Sequence, residues 1–185
     1  MPTPQERLAR GEPAAFAELY DACADRVGHY LTVRLGSRED ADDALQETFL
    51  RLVRLRKKLA KVENLVAYVF TVARNEAARL AARKARRRWQ QVPLDQVPLS
   101  EMSLRGAELF YCQPSANGMQ EAAEIVARAL EGLNLDLREI VELKTYAGLT
   151  FQQIGQVTGL PQGTVATRYR SAVAKMQSWL GRQTS

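Results

Sequence analysis

The sequence has very little cysteine and histidine, the residues that most often build disulfides, metal centres and nucleophilic active sites. Cys23 and Cys112 are its two cysteines, with no C-x-x-C spacing, and His29 is its one histidine. This scarcity argues against a disulfide framework, a zinc site and a histidine-based catalytic centre. A glycine-rich phosphate loop is also missing. We therefore expect no cofactor and no enzymatic activity, such as that of a nuclease.

Long apolar runs are missing as well. No stretch approaches the roughly 20 apolar residues that a helix needs to cross a bilayer, and the N-terminus lacks the apolar segment of a signal peptide. Together with the scarcity of cysteine, this pattern favours a reducing compartment. We expect a cytoplasmic protein without membrane insertion.

Charge is present in quantity, and it is distributed unevenly. The chain of 185 residues carries a net charge of +5, which suits a polyanionic partner. An acidic cluster consists of Glu39, Asp40, Asp42, Asp43 and Glu47, and a basic cluster further along consists of Arg79, Arg83, Lys84, Arg86, Arg87 and Arg88. Two oppositely charged surfaces predict two kinds of partner.

Three amphipathic helices are predicted in the first half of the chain, because apolar residues recur there at three- and four-residue steps. The first runs from about Ala15 to Gly36, and the second begins with the cap-like sequence Ser37-Arg38-Glu39-Asp40. A third follows a short basic loop at 57–63 and runs from Leu65 into the basic cluster. The buried stripe of the second helix is predicted to comprise Ala41, Leu45, Phe49 and Leu52.

The helical pattern stops between residues 91 and 119, where proline and glycine are frequent, and this predicts a flexible linker. Within it, Leu109, Phe110 and Tyr111 suit either a short packed helix or a segment that is ordered only on a partner. Helical periodicity returns after Ala122, and no strand pattern occurs anywhere. We therefore predict an all-α fold with a domain at residues 1–90 and a second small helical domain at residues 120–185.

The second domain contains the pattern of a helix-turn-helix. A T-x-x-Q capping box starts one helix at Thr150, Gly159 suits a tight turn, and Pro161 begins the next helix. An ordinary helical hairpin shows the same features. The small residues Gly163 and Thr164 favour a DNA-reading helix, because they let its N-terminus approach a phosphate backbone.

Two further helix faces each allow a simple and a functional interpretation. On the second helix, Asp43, Gln46, Glu47 and Leu50 lie opposite the predicted core stripe, either as a solvated face or as a docking face for a basic partner helix. On the third helix, Arg79, Arg83, Arg86 and Arg87 lie on one side, either as a solvated helix end or as a nucleic-acid surface. Phe70 and Tyr68, with Asn75 about one turn further along, are either core aromatics or residues that bind unstacked bases.

The sequence resembles the extracytoplasmic-function (ECF) group of bacterial sigma factors. Residues 40–52, DADDALQETFLRL, are similar to the polymerase-docking signature of that family in residue types and spacing. Residues 67–75, AYVFTVARN, resemble the helix that follows in the family, and residues 149–165 resemble its promoter-reading helix-turn-helix. The resemblance covers about residues 8–90 and 120–181.

This resemblance implies a protein that binds core RNA polymerase and directs it to promoter DNA. Asp43, Gln46, Glu47 and Leu50 would contact the clamp helices of the largest subunit, and the second domain would lie on the flap of the second-largest subunit. The residues implied for the melted minus-ten element are Lys61, Phe70, Arg74, Asn75, Arg79 and Arg83. Those implied for the minus-thirty-five element are Thr164, Thr167, Arg168, Arg170 and Ser171.

Family members are commonly held inactive by an anti-sigma protein, so an anti-sigma factor is a further implied partner. The chain departs from the family pattern at Ala166 and Ser171, where the family commonly has cations. Because phosphate contacts dominate affinity for DNA, we expect a weak or unusual minus-thirty-five interaction. The alternative function is a helix-turn-helix regulator that does not join polymerase.

Overall fold

The computed structural model describes residues 2–91 and 119–183, and these residues form α-helices and no strands. The helices are α1 (Pro4–Arg10), α2 (Pro13–Leu35), α3 (Arg38–Arg54), α4 (Arg56–Leu59), α5 (Leu65–Gln91), α6 (Met119–Glu131), α7 (Leu135–Thr145), α8 (Phe151–Thr158) and α9 (Gln162–Gln183). The all-α prediction is confirmed for these ranges. Nearly all of the predicted linker, with Leu109, Phe110 and Tyr111, lies outside them. None of the described helices has the length and apolarity to span a membrane.

Local capping signals place several helix ends where the sequence predicts them. Helix α2 ends at Leu35, and Gly36 follows with a left-handed φ of 66°. The Ser37 hydroxyl accepts a hydrogen bond from the Asp40 N–H at 3.3 Å and so begins α3. Thr150 and Gln153 form the complete capping box at the start of α8.

Two short helices were not predicted. Helix α1 has its own capping box between Thr3 and Glu6, with Pro4 in the first turn, and Leu8 is its buried anchor. Helix α4 overlaps the start of the segment that the sequence predicts as a basic loop, and it packs against α1. Helices α1 and α4 together close one end of the first helical group. This group comprises α1–α5 and is called the first half below.

The first half is built on α2, α3 and α5, which pack against one another around buried residues such as Tyr30, Leu52 and Phe70. Helices α6–α9, called the second half, have a small core of their own around Leu130 and Val141. The larger core continues from the first half into the second and includes side chains of α7, α8 and α9. The two halves are therefore packed together, with α5 against α8 and α2 against α7.

Candidate nucleic-acid and protein interfaces

The docking face of α3, which we define as Asp43, Gln46, Glu47 and Leu50, lies at the surface. Asp43 and Gln46 are exposed, and Leu50 is 42% exposed. The Glu47 carboxylate lies 3.9 Å from the Arg54 guanidinium, two turns further along the helix. Such an exposed pair holds the carboxylate only weakly, so a partner can compete for it.

An apolar groove borders the docking face between α2 and α3. Its lining consists of Phe16, Ala17, Tyr20, Asp42, Leu45, Gln46, Phe49, Leu50 and Val53. The Tyr20 and Phe49 rings meet there with centroids 4.7 Å apart, and Tyr20 is 46% exposed. A surface that combines carboxylates with accessible apolar side chains has the chemistry of a protein interface.

This groove corrects part of the sequence interpretation. Leu45 and Phe49 were predicted to be core residues, but both are only partly buried. The fully buried line of α3 is instead Ala41, Ala44, Thr48 and Leu52. Small side chains let α3 lie close to its neighbours, and the two larger ones are displaced towards the rim of the bundle.

The residues implied for the minus-ten element fall into separate groups. With 3.6 residues per turn, Phe70 and Arg74 lie on one side of α5, about 40° apart. Asn75, Arg79 and Arg83 lie about 140–180° round the helix from Phe70, and all three are exposed. A third position, the exposed Lys61, lies between α4 and α5.

Phe70 is a core residue in this arrangement. Its ring is fully buried and meets the ring of Tyr30 edge-on, with centroids 5.8 Å apart. The Arg26 guanidinium lies over the Phe70 ring at 5.8 Å and donates to the backbone carbonyl of Ala147, with nitrogen–oxygen distances of 2.6 and 3.0 Å. Access to Phe70 is therefore tied to the position of the second half.

Arg74 is engaged by the second half through a bidentate ion pair. Its Nε and Nη2 donate to the two oxygens of Glu139 at 2.7 and 2.9 Å. This hydrogen-bonded carboxylate raises the pKa of the Arg74 guanidinium above its ordinary value. Glu139 also lies 3.4 Å from Arg34 of α2, so one α7 carboxylate joins α2 and α5.

A second α7 carboxylate, that of Glu142, is fully buried. It accepts from Arg34 at 3.1 Å and from Arg138 at 2.8 Å. Burial by itself would lower the pKa of Arg34, but the neighbouring Glu142 and Glu139 outweigh burial, and the net shift is upward. For Arg138 burial prevails, and its pKa is lowered. Sequence reasoning missed this whole cluster.

The remaining minus-ten candidates have weaker contacts. Arg79 lies 3.4 Å from Glu76, a buried carboxylate that also lies 3.2 Å from Arg51 of α3. Arg83 lines a small polar cleft with Asp43 and Glu47 of the docking face. The basic end of α5 therefore lies next to the acidic face of α3.

The residues implied for the minus-thirty-five element lie on the outer side of α9. Thr164, Thr167, Arg168 and Ser171 span about 100° of the helix, and Arg170 lies about 60° further round. The opposite side buries Val165 and Ala172. Arg168 lies 3.2 Å from the exposed Asp136 of α7, and the Thr167 hydroxyl donates to the Gly163 carbonyl at 2.9 Å. The five residues thus form a surface that a DNA groove can reach.

The turn before α9 is tightly packed. Gly159 has a φ of 75° and ends α8, with its N–H donating to the Gly155 carbonyl. A Cβ on Gly155 would lie 2.6 Å from the Leu160 carbonyl oxygen, whereas Gly163 faces open space. Gly155 is therefore required by the close approach of α8 to the turn, and the sequence analysis did not identify it.

A second groove lies between α6 and α9 on the far side of the second half. Its lining consists of Ala129, Gly132, Leu133, Ser171, Ala174, Lys175, Ser178, Trp179 and Arg182. The groove has a volume of about 570 Å³ and is open to the surface. It is large enough to receive side chains from a partner helix.

Within residues 2–91 and 119–183, no group of three or more histidine, cysteine, aspartate or glutamate residues is placed to hold a metal ion. Cys23 is buried in α2, and this burial raises the pKa of its thiol. A buried thiol with a raised pKa behaves as a small core residue.

Comparison with known proteins assigns the chain to a family. A model of sigma-70 region 2 matches residues 19–88, which contain α3 and most of α5. A model of sigma-70 region 4 matches residues 123–176, which contain α8 and most of α9. Two similar curated proteins are the sigma factor CarQ of Myxococcus xanthus and the ECF sigma factor BldN of Streptomyces coelicolor. CarQ is 28% identical over 95% of each chain. BldN is 29% identical over 90% of this chain, which spans 61% of BldN.

Solved structures show the same fold. The chain resembles CnrH, solved in complex with the cytosolic domain of CnrY, with a TM-score of 0.67, 19% identity and 97% and 96% of the two chains covered. It also resembles the sigma factor RpoE of Bartonella quintana, solved with the anti-sigma factor NepR, with a TM-score of 0.64, 22% identity and 90% and 96% covered. Both family models match in the expected order, and several relatives are ECF sigma factors. The chain belongs to the sigma-70 family of RNA polymerase sigma factors and to its ECF group.

Proposed function

We propose that this sigma factor joins core RNA polymerase mainly through the docking face of α3 and directs it to promoters whose minus-ten strand binds α5. The family consists of transcription initiation factors, so promoter recognition and not catalysis is its activity. The observation that carries the docking proposal is the exposed face of Asp43, Gln46, Glu47 and Leu50 beside an apolar groove.

The chemistry of this face suits a basic, amphipathic partner helix. Two carboxylates provide steering and hydrogen-bond acceptors, while Leu50 and the rings of Tyr20 and Phe49 provide apolar area next to them. This combination supports docking of the largest-subunit clamp helices. The groove between α6 and α9, with Trp179 at its edge, supports docking of the flap of the second-largest subunit.

The proposed promoter surfaces use different chemistry. On α5, the exposed Asn75, Arg79 and Arg83 would hold the melted minus-ten strand, with Lys61 nearby. Arg74 and the buried Phe70 lie on the opposite side of α5, and they would contact the strand only if that side became accessible. On α9, the outward residues Thr164, Thr167, Arg168, Arg170 and Ser171 would meet the minus-thirty-five duplex. Since Ala166 and Ser171 supply no cations, we propose that this second contact is weak.

Regulation by a protein partner is part of the proposal. The Bartonella quintana relative was solved with an anti-sigma factor, and an exposed apolar groove beside a charged face offers such a protein a binding surface here as well. Because core polymerase and promoter DNA are its proposed partners, we place the chain in the bacterial cytoplasm.

The docking proposal is tested by replacing Asp43 and Glu47 with lysine in the full chain. In a pull-down, we expect the tagged variant to retain about a tenth or less of the core polymerase that the wild-type chain retains, because two attractive charges become repulsive. A control that replaces Asp25 and Glu131 with lysine makes the same change in net charge at exposed positions away from the docking face. This control should retain wild-type binding.

The same experiment separates the sigma factor from a helix-turn-helix regulator that never joins polymerase. If the wild-type chain binds promoter fragments but retains no core polymerase, the chain is a helix-turn-helix regulator and the sigma-factor proposal is wrong. If both lysine pairs weaken binding equally, net charge and not the docking face determines the interaction, and the docking proposal is wrong.

A further inference from the structure

Glu76 is a carboxylate buried where α3 packs against α5, next to the side of α5 that we propose holds the melted strand. Its side chain is 7% exposed. Its Oε1 lies 3.2 Å from Nη1 of Arg51 on α3 and 3.4 Å from Nη1 of Arg79 on α5. Burial removes the water that would otherwise solvate a carboxylate, so such a group needs charged partners. One buried oxygen thus contacts an arginine from each helix.

Arg51 prevents this carboxylate from cancelling the charge of Arg79. The two guanidinium groups and the one carboxylate together carry a net positive charge, so the three side chains still attract phosphate. Arg79 is the more accessible arginine, with 54% of its side chain exposed against 35% for Arg51. It also shares the exposed side of α5 with Asn75 and Arg83. Of the two arginines that contact Glu76, Arg79 is therefore the one that a strand can reach.

The contact with Glu76 engages only part of the Arg79 guanidinium. Nη1 of Arg79 donates to Glu76 at 3.4 Å, whereas Arg74 gives both Nε and Nη2 to Glu139 at 2.7 and 2.9 Å. Within residues 2–91 and 119–183, Glu76 is the one carboxylate that contacts Arg79. A guanidinium binds phosphate with two parallel N–H groups. Nε and Nη2 of Arg79 therefore remain for a strand phosphate.

A contact of this kind lowers the entropic cost of binding. An exposed arginine has many rotamers and loses them when it binds a ligand, so a contact that restricts the side chain beforehand reduces the loss. Glu76 is suited to this because its own position is fixed by burial and by Arg51. Shielding from water also makes salt compete less well for the carboxylate than for an exposed one.

We propose that Glu76 is a positioning residue for binding of the minus-ten strand. It holds the Arg79 guanidinium on the exposed side of α5, so that Nε and Nη2 meet a strand phosphate, and it does not touch the strand itself. The proposal rests on the proposed function of Arg79 as a strand-binding residue. The competing interpretation is a purely structural ion pair between α3 and α5, in which the charge of Glu76 only repels phosphate.

The two interpretations predict opposite signs for Glu76→Gln. If only the charge of Glu76 acts on DNA, its removal should tighten binding, as should the control Glu131→Gln, which makes the same charge change at an exposed position of α6. If Glu76 positions Arg79, binding should weaken, because a neutral amide holds a guanidinium less strongly than a carboxylate does. The measurement is the affinity of the full chain for a fluorescein-labelled, mixed-sequence single-stranded 20-mer by anisotropy, with and without Arg79→Ala.

We expect Glu76→Gln to bind the strand about threefold more weakly than Glu131→Gln. In the Arg79→Ala background, the two glutamine substitutions should have equal effects, because Glu76 then has no guanidinium to position. Glu76→Asp keeps the charge and shortens the side chain, so it should also weaken binding. With circular dichroism as a folding check, Glu76→Asp serves if the glutamine variant misfolds.

The outcomes separate the positioning proposal from the function of Arg79 on which it rests. Glu76→Gln binding as tightly as Glu131→Gln, or more tightly, would overturn the positioning proposal. An equal loss of affinity with and without Arg79 would also overturn it, since Glu76 would then act through something else. If the wild-type chain does not bind the strand, or if Arg79→Ala alone leaves its affinity unchanged, the strand-binding function of Arg79 is wrong and the positioning proposal falls with it.

Discussion

Replacing each of three glycines at the tight turn between α8 and α9 with alanine is expected to have three different effects on stability. Alanine at Gly155 would place its Cβ 2.6 Å from the Leu160 carbonyl oxygen, which belongs to the backbone of the turn and cannot rotate away. Alanine at Gly159 would have space but would have to adopt a φ of 75°. Alanine at Gly163 would have both space and ordinary helical backbone.

The expected stability changes differ in sign. Overpacking at Gly155 costs about 1–3 kcal/mol, and the better helix propensity of alanine offsets only part of this cost, because the Cβ meets backbone that cannot rotate away. The left-handed backbone at Gly159 costs alanine about 1 kcal/mol. At Gly163, alanine stabilises by about 0.4–1 kcal/mol, because it restricts the unfolded chain without strain in the folded one. For a chain of this size, each kcal/mol shifts Tm by about 2–4 °C.

The assay is thermal unfolding of the three variants and the wild-type chain, followed by circular dichroism. We expect Gly163→Ala to unfold above the wild-type chain and both Gly155→Ala and Gly159→Ala to unfold below it. A Gly155→Ala variant as stable as the wild-type chain would refute the packing of the turn. Binding to duplex DNA gives a second readout. A Cβ on Gly163 at the start of α9 should keep the helix N-terminus away from the phosphate backbone, so DNA binding should weaken although stability rises.

Two further predictions concern the second half. Ser171→Arg adds a cation to the outer face of α9, so it should tighten binding to promoter duplex. In anisotropy titrations, the slope of log K against log salt should become steeper by about 1. An equal effect from the control Ser178→Arg would contradict the placement of Ser171 at the DNA-contacting surface. Thr150→Ala removes the capping box with Gln153 and should lower the free energy of unfolding by about 1 kcal/mol in a denaturant titration. Thr150→Ser keeps the hydroxyl and should remain near wild type. Equal losses of stability from both variants would show that the loss does not come from the helix cap.

Features that depend on a few neighbouring residues could be predicted from the sequence. The ends of α2 and α8 follow from Gly36, Thr150 and Gly159, whose conformations or hydrogen bonds are local. Helix α1 had an equally local signal in the capping box of Thr3 and Glu6, but with Leu8 as its only buried residue it shows no apolar periodicity.

Features that depend on the packing of the two halves could not be predicted. Glu139 and Glu142 lie three residues apart on α7 and resemble an ordinary solvated face, yet both are buried against arginines more than sixty positions away in the chain. A helical wheel likewise predicts the face of α3 on which Leu45 and Phe49 lie, but it does not predict how deeply they are buried. Their burial depends on the small residues of α3, which pack closest to the neighbouring helices. The exposure of Asp43, Gln46 and Leu50 could be predicted because it depends on the periodicity of one helix.

The most direct test of the central claim is run-off transcription with purified core polymerase, this chain and a library of bacterial genomic fragments, followed by sequencing of the transcript starts. We predict start sites that occur only when the chain is added and that share a sequence element about ten base pairs upstream, and we predict their loss when Asp43 and Glu47 are replaced by lysine. If no template gives a chain-dependent product while the same polymerase transcribes with another sigma factor, the assignment of this chain as a promoter-directing sigma factor is contradicted.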